Sequence, residues 1–214
     1  MSLDFLTPAP GVPARSPMER LARAAGARFE VRDGWNVAVD YAGPPPTDVG
    51  WADLSHLAKL ELHGEHGAQP GTAERHGDAW LCPLTPQRAL AVGEREAARA
   101  LSEREGIGSV VDVTCAYAAL AIVGPLARAV IARLSALDLR PHVAPVAAFR
   151  PGSVARTPAM VLREAEERYL VLFGAALGEY VWTVVADAAQ PDGGAPIGLD
   201  ALAPIAQPQE TSRA

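Results

Sequence analysis

The chain has 214 residues, enough to bury a substantial core in one large domain or two small ones. Apolar residues at 49% and charged residues at 21% fit a soluble globular protein. A formal net charge of −6 disfavours nonspecific binding to nucleic acid or to an anionic membrane, because an acidic field does not attract a polyanion, and no run of lysine and arginine offsets it.

The start, Met1 to Pro8, lacks a basic segment followed by an apolar core and does not read as a signal peptide. Residues 1–16 are predicted as a flexible, proline-rich arm. Residues 17–207 follow as the main domain, and the polar segment 208–214 as a frayed tail. Ser16 and Pro17 suit a helix start, with Met18, Leu21, Ala22 and Ala25 on one face and Gly26 at its end. Asn36 to Tyr41 is a short apolar alternation, closed by the rigid Pro44-Pro45-Pro46. Leu57 to His63 reads as a strand, with Ala58, Leu60 and Leu62 on one face and Lys59, Glu61 and His63 on the other.

Gly64 to Asp78 turns polar and reads as a loop or hairpin connection. Strands are predicted at Arg88–Val92, Ser109–Val113 and Ala118–Val123, with a short helix over Glu94–Ser102. The stretch Ala116–Val123 is too short to span a bilayer. Gly124 breaks it, and Pro125 opens a helix with Leu126, Val130, Ile131 and Leu134 as its stripe and Arg128 and Arg133 outward. Val161–Arg163 and Tyr169–Phe173, joined by the charged Glu164–Arg168, predict a hairpin. Gly174 and Gly178 punctuate the approach to a helix with Leu177, Val181, Val184, Val185 and Ala188 inward, and Asp192-Gly193-Gly194 forces a turn. The fold class expected is α+β, a mainly antiparallel sheet-and-helix arrangement in which two sheet-and-helix units pack as related halves.

The motif order resembles a known family. Ser16-Pro17, Gly26-Ala27, Phe29 and Gly34-Trp35 are followed by Asp53-Leu54-Ser55-His56 with Lys59 and Gly64. Asp112, Thr114 and Gly124-Pro125 come next, then Arg163-Glu164, Tyr169, Gly178, Trp182 and Pro196-Ile197-Gly198-Leu199-Asp200-Ala201-Leu202. This series resembles the folate-binding domain of glycine-cleavage aminomethyltransferases, a domain also used in heterotetrameric sarcosine oxidases. The resemblance implies the mainly antiparallel fold of that domain and a link to tetrahydrofolate and one-carbon metabolism.

The departures from the family pattern are also informative. The glycine-rich centre with paired aspartates is shortened, with Leu81-Cys82-Pro83-Leu84-Thr85-Pro86 leading straight to Arg88, and neither Asp78 nor Asp112 takes the place of the family's catalytic aspartate. The threonine-glycine-glutamate signature expected after Arg163 is replaced around Ala165 to Arg168. These absences resemble the gamma subunit of sarcosine oxidase more than a complete aminomethyltransferase. They imply a cytoplasmic, non-catalytic accessory subunit in an oxidoreductase complex that oxidatively demethylates a secondary amine. The flavin would then sit in larger partner subunits, and no cofactor is assigned firmly to this chain. An autonomous tetrahydrofolate-dependent aminomethyltransferase or demethylase is the alternative.

No catalytic residue is assigned. Asp53, Ser55 and His56 form the best local polar cluster, since histidine transfers protons near neutral pH and a carboxylate orients it, but their spacing equally suits a turn at a ladder end. Asp112 and Thr114 suit a turn cap or a folate-pocket contribution. Arg163 and Glu164 suit a solvated ionic turn, a mutual contact, or a hold on a carboxylate, and Tyr169 joins them as a pocket residue. Tyr180 and Trp182 are the partner-facing pair, with burial as the alternative for Trp182. His63, His66 and His76 lack the spacing of a zinc site, and Cys82 and Cys115 read as reduced thiols, so no metal is expected.

Overall fold

The computed structural model describes residues 11–202. The predicted tail, 208–214, and residues 1–10 of the predicted arm lie outside the described residues. In chain order the elements are β1 (Ala14–Arg15), α1 (Glu19–Ala24), β2 (Arg28–Arg32), β3 (Trp35–Asp40), β4 (Gly50–Asp53), β5 (Ala58–Gly64), β6 (Glu74–His76), β7 (Ala79–Thr85) and β8 (Arg88–Gly93). Next come α2 (Arg95–Ser102), β9 (Ile107–Asp112), β10 (Tyr117–Val123), α3 (Ala127–Leu134), β11 (Phe149–Val154), β12 (Thr157–Ala165), β13 (Arg168–Gly174), α4 (Gly178–Ala189) and β14 (Ala195–Pro196).

The strands build a six-stranded sheet ordered β11-β12-β13-β10-β4-β14, a five-stranded sheet ordered β6-β7-β8-β5-β9, and a small sheet ordered β1-β3-β2. Pairing is antiparallel except at β1 with β3 and β14 with β4, so the fold is a mixed α/β arrangement of mostly antiparallel sheets. Ala14 and Arg15, inside the stretch expected as an arm, are the residues that make β1.

Strand alternation shows how the sheets stack. On the six-stranded sheet, Trp51, Leu120, Ile122, Val161, Tyr169, Val171 and Phe173 pack with Met18 and Ala22 beside α1, with Val130 and Ile131 of α3, and with Val181, Trp182 and Val185 of α4. The alternate residues, among them Ala52, Ala119, Ala121, Leu162, Leu170 and Leu172, pack against Trp80, Cys82, Leu90 and Val92 of the five-stranded sheet. That sheet's outer face, with Ala58, Leu62, Leu81, Ala89 and Ala91, is covered by Ala98 and Leu101 of α2. The order is therefore helices, sheet, sheet, helix. Among the described residues no helix is long and apolar enough to cross a membrane.

Local signals act as their chemistry predicts at several junctions. The Met18 N–H donates to Ser16 Oγ at 3.0 Å ahead of α1, and Gly26 takes a left-handed φ of +85° just after it. The hairpin of β12 and β13 forms over a longer span than predicted, turning at Glu166-Glu167. Seven strands escape the sequence reading, namely β1, β2, β4, β6, β7, β11 and β14. β6 and β7 occupy residues around Asp78, and β11 carries Pro151 and Gly152, residues that disguise a strand.

The alternation predicted for β5 holds, and the face that carries Lys59 is covered at that position, since Lys59 is 0% exposed. It pairs across the ladder with Val92, so its side of the strand meets the six-stranded sheet, while Ala58 and Leu62 face α2. Both faces of β5 are covered at that end. Glu61 and His63 lie nearer the open end, where Glu61 Oε1 accepts from Arg88 at 2.9 Å.

Candidate functional site

Two polar assemblies stand out. The first gathers Asp53, Ser55, His56, Asp112 and Thr114, all singled out in the sequence, around the buried Lys59. Asp53 ends β4, and its Oδ1 accepts the Ser55 N–H at 3.0 Å, an aspartate turn that reverses the chain. Asp112 does the same at the end of β9, its Oδ1 accepting the Thr114 N–H at 2.9 Å. Ser55 Oγ accepts the Ala119 N–H at 3.2 Å, and Thr114 Oγ1 accepts the Lys59 N–H at 3.1 Å. The Lys59 ammonium then donates to the Ser55 carbonyl at 2.7 Å and the Thr114 carbonyl at 3.2 Å. One side chain thus holds together the two turns that connect the five- and six-stranded sheets.

The electrostatics follow from burial. Desolvation lowers Lys59 to about 8, against the pull of Asp53, Cys115 and Asp112. Desolvation also raises Asp53, and hydrogen bonds from Ser16 and Ser55 and the charge of Lys59 only partly offset it. Burial opposes ionisation of Asp112 as well, but there the Thr114 hydrogen bonds and the charges of Arg95 and Lys59 prevail and its pKa is lowered. His56 is pushed down to about 4 by burial, with Lys59 and Arg32 adding to the effect against Asp33, so it is neutral near pH 7. A groove of about 360 Å³ runs past this cluster, lined by Trp35, Ser55, Thr114, Cys115 and Tyr117 among others.

The second assembly is a cavity of about 300 Å³ at the seam of the two large sheets. Its walls come from Trp80 and Val92 of β7 and β8, Leu170 of β13, the turn carrying Leu54 and Leu57, and the segment carrying Leu199 and Leu202. Glycines let the walls close in. Gly93 has a φ of +157°, and a Cβ there would collide with the Asp78 carbonyl and Ala79. Gly198 lies so close to Val39 that a Cβ would overlap its carbonyl. Glu164, 4% exposed, points its carboxylate at Arg168, whose Nε donates to Glu164 Oε2 at 2.8 Å. The Arg75 guanidinium lies 5.5 Å from the centre of the Trp80 ring, its Nε donates to the Gly77 carbonyl at 2.9 Å, and its buried Nη1 has no partner. Asp78 and Glu94 complete the polar lining, and Glu94 is raised by desolvation and by the neighbouring Asp33 and Asp78.

Arg163 and Glu164 are adjacent in sequence but lie on opposite faces of the six-stranded sheet. Neither belongs to a solvated turn, which corrects that expectation. Arg163 is 5% exposed because it stands opposite Tyr169 on the helix-facing side, where its Nη1 donates to the Ala144 carbonyl at 2.8 Å and its Nη2 to the Glu166 carbonyl at 3.0 Å. Its guanidinium sits 5.8 Å from the Tyr169 ring. Tyr169 is therefore a core residue, its hydroxyl buried without a partner, rather than part of the cavity wall. Trp182 is also core, packed edge-on against Trp51 with ring centres 5.9 Å apart at 85°. Its burial is the alternative the sequence left open for it. Tyr180 is exposed, and its hydroxyl donates to the Ala155 carbonyl at 3.0 Å.

Arg75, Asp78, Trp80, Glu94 and Arg168 are the cavity residues that sequence reasoning missed. The signal was present in Ala79-Trp80-Leu81-Cys82, a short apolar run bounded by Gly77-Asp78 that reads as a buried strand. Among the described residues no group of three or more histidine, cysteine, aspartate or glutamate side chains is arranged to hold a metal ion. Cys82 is buried and Cys115 exposed, both as free thiols.

A 58-residue stretch is 43% identical to the aminomethyltransferase of Picosynechococcus sp. (strain ATCC 27264 / PCC 7002 / PR-6), covering 24% of this chain and only 16% of that protein. The fold superposes on a chain of the heterotetrameric sarcosine oxidase from Corynebacterium sp. U-96, solved in complex with pyrrole 2-carboxylate. The TM-score is 0.64 at 20% identity, over 90% of this chain and 99% of that one. It also superposes on the glycine cleavage system aminomethyltransferase T from Bartonella henselae, with a TM-score of 0.68 at 15% identity, over 88% of this chain and 60% of that one. At such identities the two structures establish a shared fold. Residues 88–205, more than half of the chain, match the GCVT N-terminal domain, and the chain belongs to that family.

Proposed function

We propose that this chain is an accessory, gamma-like subunit of a cytoplasmic sarcosine-oxidase-type complex that oxidatively demethylates a secondary amine. Larger flavoprotein subunits would carry out the oxidation, and reduced folate would accept the carbon unit. The observation that carries this reading is the state of the cavity's acids. Among the described residues, its buried carboxylate, Glu164, is tied to Arg168, and its other carboxylates, Asp78 and Glu94, stand at the exposed rim. General acid–base work calls for a carboxylate or histidine within reach of substrate and free to exchange a proton. The half-buried Asp53 is instead engaged in the turn that presents Ser55 to Lys59, and the buried His56 sits in the field of the same ammonium. The superposition over 99% of a sarcosine oxidase chain, against 60% of an aminomethyltransferase, points the same way.

The second reading, an autonomous tetrahydrofolate-dependent aminomethyltransferase or demethylase, is favoured by the cavity itself. Its lining fits the ring end of a reduced folate, with Leu54, Trp80 and Leu170 as apolar walls and Glu164 as an acceptor for ring N–H groups. Bound there, folate would supply the nitrogens that take up the carbon unit, while this chain would orient the ring and exclude water.

Co-purification from native cell extract, with intact-complex mass measurement and cofactor detection, tests the preferred reading. Recovery of flavin-containing oxidoreductase subunits is expected. A stable monomer with no such partner under several gentle ionic conditions would sink it. Formation of methylenetetrahydrofolate by the purified chain alone would establish the second reading.

A further inference from the structure

Among the described residues the three sheets end in six strand edges, and five of them are guarded against pairing with another chain. β1 and β14 have two residues each, and β14 includes Pro196. β6 has three residues, all charged or histidine. β2 alternates Arg28, Glu30 and Arg32 in ion pairs, and β11 carries Pro151. β9 differs. Its sequence Ile107-Gly108-Ser109-Val110-Val111-Asp112 carries no proline, lysine or arginine. Val110 is 42% exposed and Val111 50% exposed, one on each face of the strand.

The hydrogen-bond phase of this edge can be read from its ladder. Val113 N–H donates to the Lys59 carbonyl at 2.9 Å, and Val111 and Ser109 stand opposite Glu61 and His63. In an antiparallel ladder the bonded residues alternate, so Val110 and Asp112 turn their backbone groups away from β5. Water satisfies these donors and acceptors in the free chain, and an added extended backbone replaces it along the whole row.

We propose that the free edge of β9 receives an extended segment of a larger oxidoreductase subunit by β-strand addition, an inference that rests on the accessory-subunit reading above. The charge around the strand specifies the segment. Asp112, with Arg95 acting on it, stands at one end, and Glu65, Glu103 and Glu105 gather at the other, where Arg99 pairs with Glu103 at 3.1 Å and Arg104 is the further cation, so acids remain in excess. Glu65 is fixed there because its N–H donates to the Gly106 carbonyl at 2.8 Å. The matching partner has β-branched or aromatic residues in its centre, opposite the valines, and lysine or arginine at both ends. A second copy fits poorly, because antiparallel self-pairing sets the acidic turn of each copy beside Asp112 of the other. An open groove of about 460 Å³ beside Ser109, lined by His63, Thr85 and Arg88, gives a partner side chain a place to lie.

The experiment replaces Val110→Lys and Val111→Lys, singly and together, in the full-length chain in its native cells, with Val110→Thr plus Val111→Thr as the control. Thermal melts confirm that each variant folds. The lysine variants are expected to recover flavoprotein partners at least about tenfold less well, while the threonine control stays within about twofold. Undiminished recovery by folded lysine variants overturns the edge inference and leaves the accessory reading standing. A wild-type chain that recovers no oxidoreductase subunit overturns the accessory reading, and this inference with it. A homodimer dispersed by Val110→Lys overturns the choice of partner.

Discussion

At the scale of single residues, Lys59 and His56 have measurable consequences. Replacing Lys59 with methionine keeps the stem but strands the Ser55 and Thr114 carbonyls, at an expected cost of about 2–4 kcal/mol in urea unfolding near neutral pH. A cost below about 0.5 kcal/mol would show that the clamp is not structural. For His56 the sign follows from its lowered pKa. Below its ordinary value of 6.5 the unfolded chain takes up a proton that the folded chain refuses until about pH 4, so stability falls as pH falls across that window. The full contribution is on the order of 3 kcal/mol, read as the difference between wild type and His56→Gln. Burial raises the neighbouring Asp53 from its ordinary value toward this window, so the variant comparison is needed to isolate His56. NMR titration of the imidazole should show it neutral down to about pH 4, and a midpoint near 6.5 would contradict its burial.

At the scale of elements, α4 is held by its contact with the six-stranded sheet. Trp182→Ala removes the edge-on partner of Trp51 and is expected to cost about 3–5 kcal/mol in chemical unfolding. Tyr180→Phe, on the exposed side of the same helix, should cost no more than about 1 kcal/mol, since it loses one hydrogen bond at a half-exposed site. Equal costs at the two positions would mean that the helix is not packed as described. At the cavity, Gly93→Ala forces a side chain into a left-handed φ and against the Asp78–Ala79 backbone. A loss of about 2 kcal/mol or more is expected in thermal melts, with any ligand of the cavity weakened in parallel.

For the whole molecule, the layer of side chains between the large sheets is built by both. Phe149, Leu162, Leu170 and Leu172 from one sheet pack with Trp80, Cys82, Leu90 and Val92 from the other, so neither sheet keeps its inner face dry alone. Unfolding followed by tryptophan fluorescence and by far-ultraviolet circular dichroism is expected to give coincident transitions. Two separated transitions would show that the sheets fold as independent units.

The local code was legible where chemistry is local. The helices that follow Ser16-Pro17 and Gly124-Pro125, the hairpin through Glu166 and the strand at Ala118–Val123 follow from propensity, turn chemistry and periodicity over a few residues, while the family was legible as a resemblance in the order of its motifs. The same sequence named Asp53, Ser55, His56, Asp112 and Thr114, and they do converge. The residue at their centre, Lys59, was placed on the right face but its burial was not legible, because alternation shows which residues share a face but not what covers that face. Likewise Arg163 and Glu164 read as a solvated turn, since nothing nearby in sequence announces that Ala144 and the cavity lie on either side of them. Burial and the sheet-to-sheet seam are properties of contacts between distant segments, and only the tertiary structure supplied them.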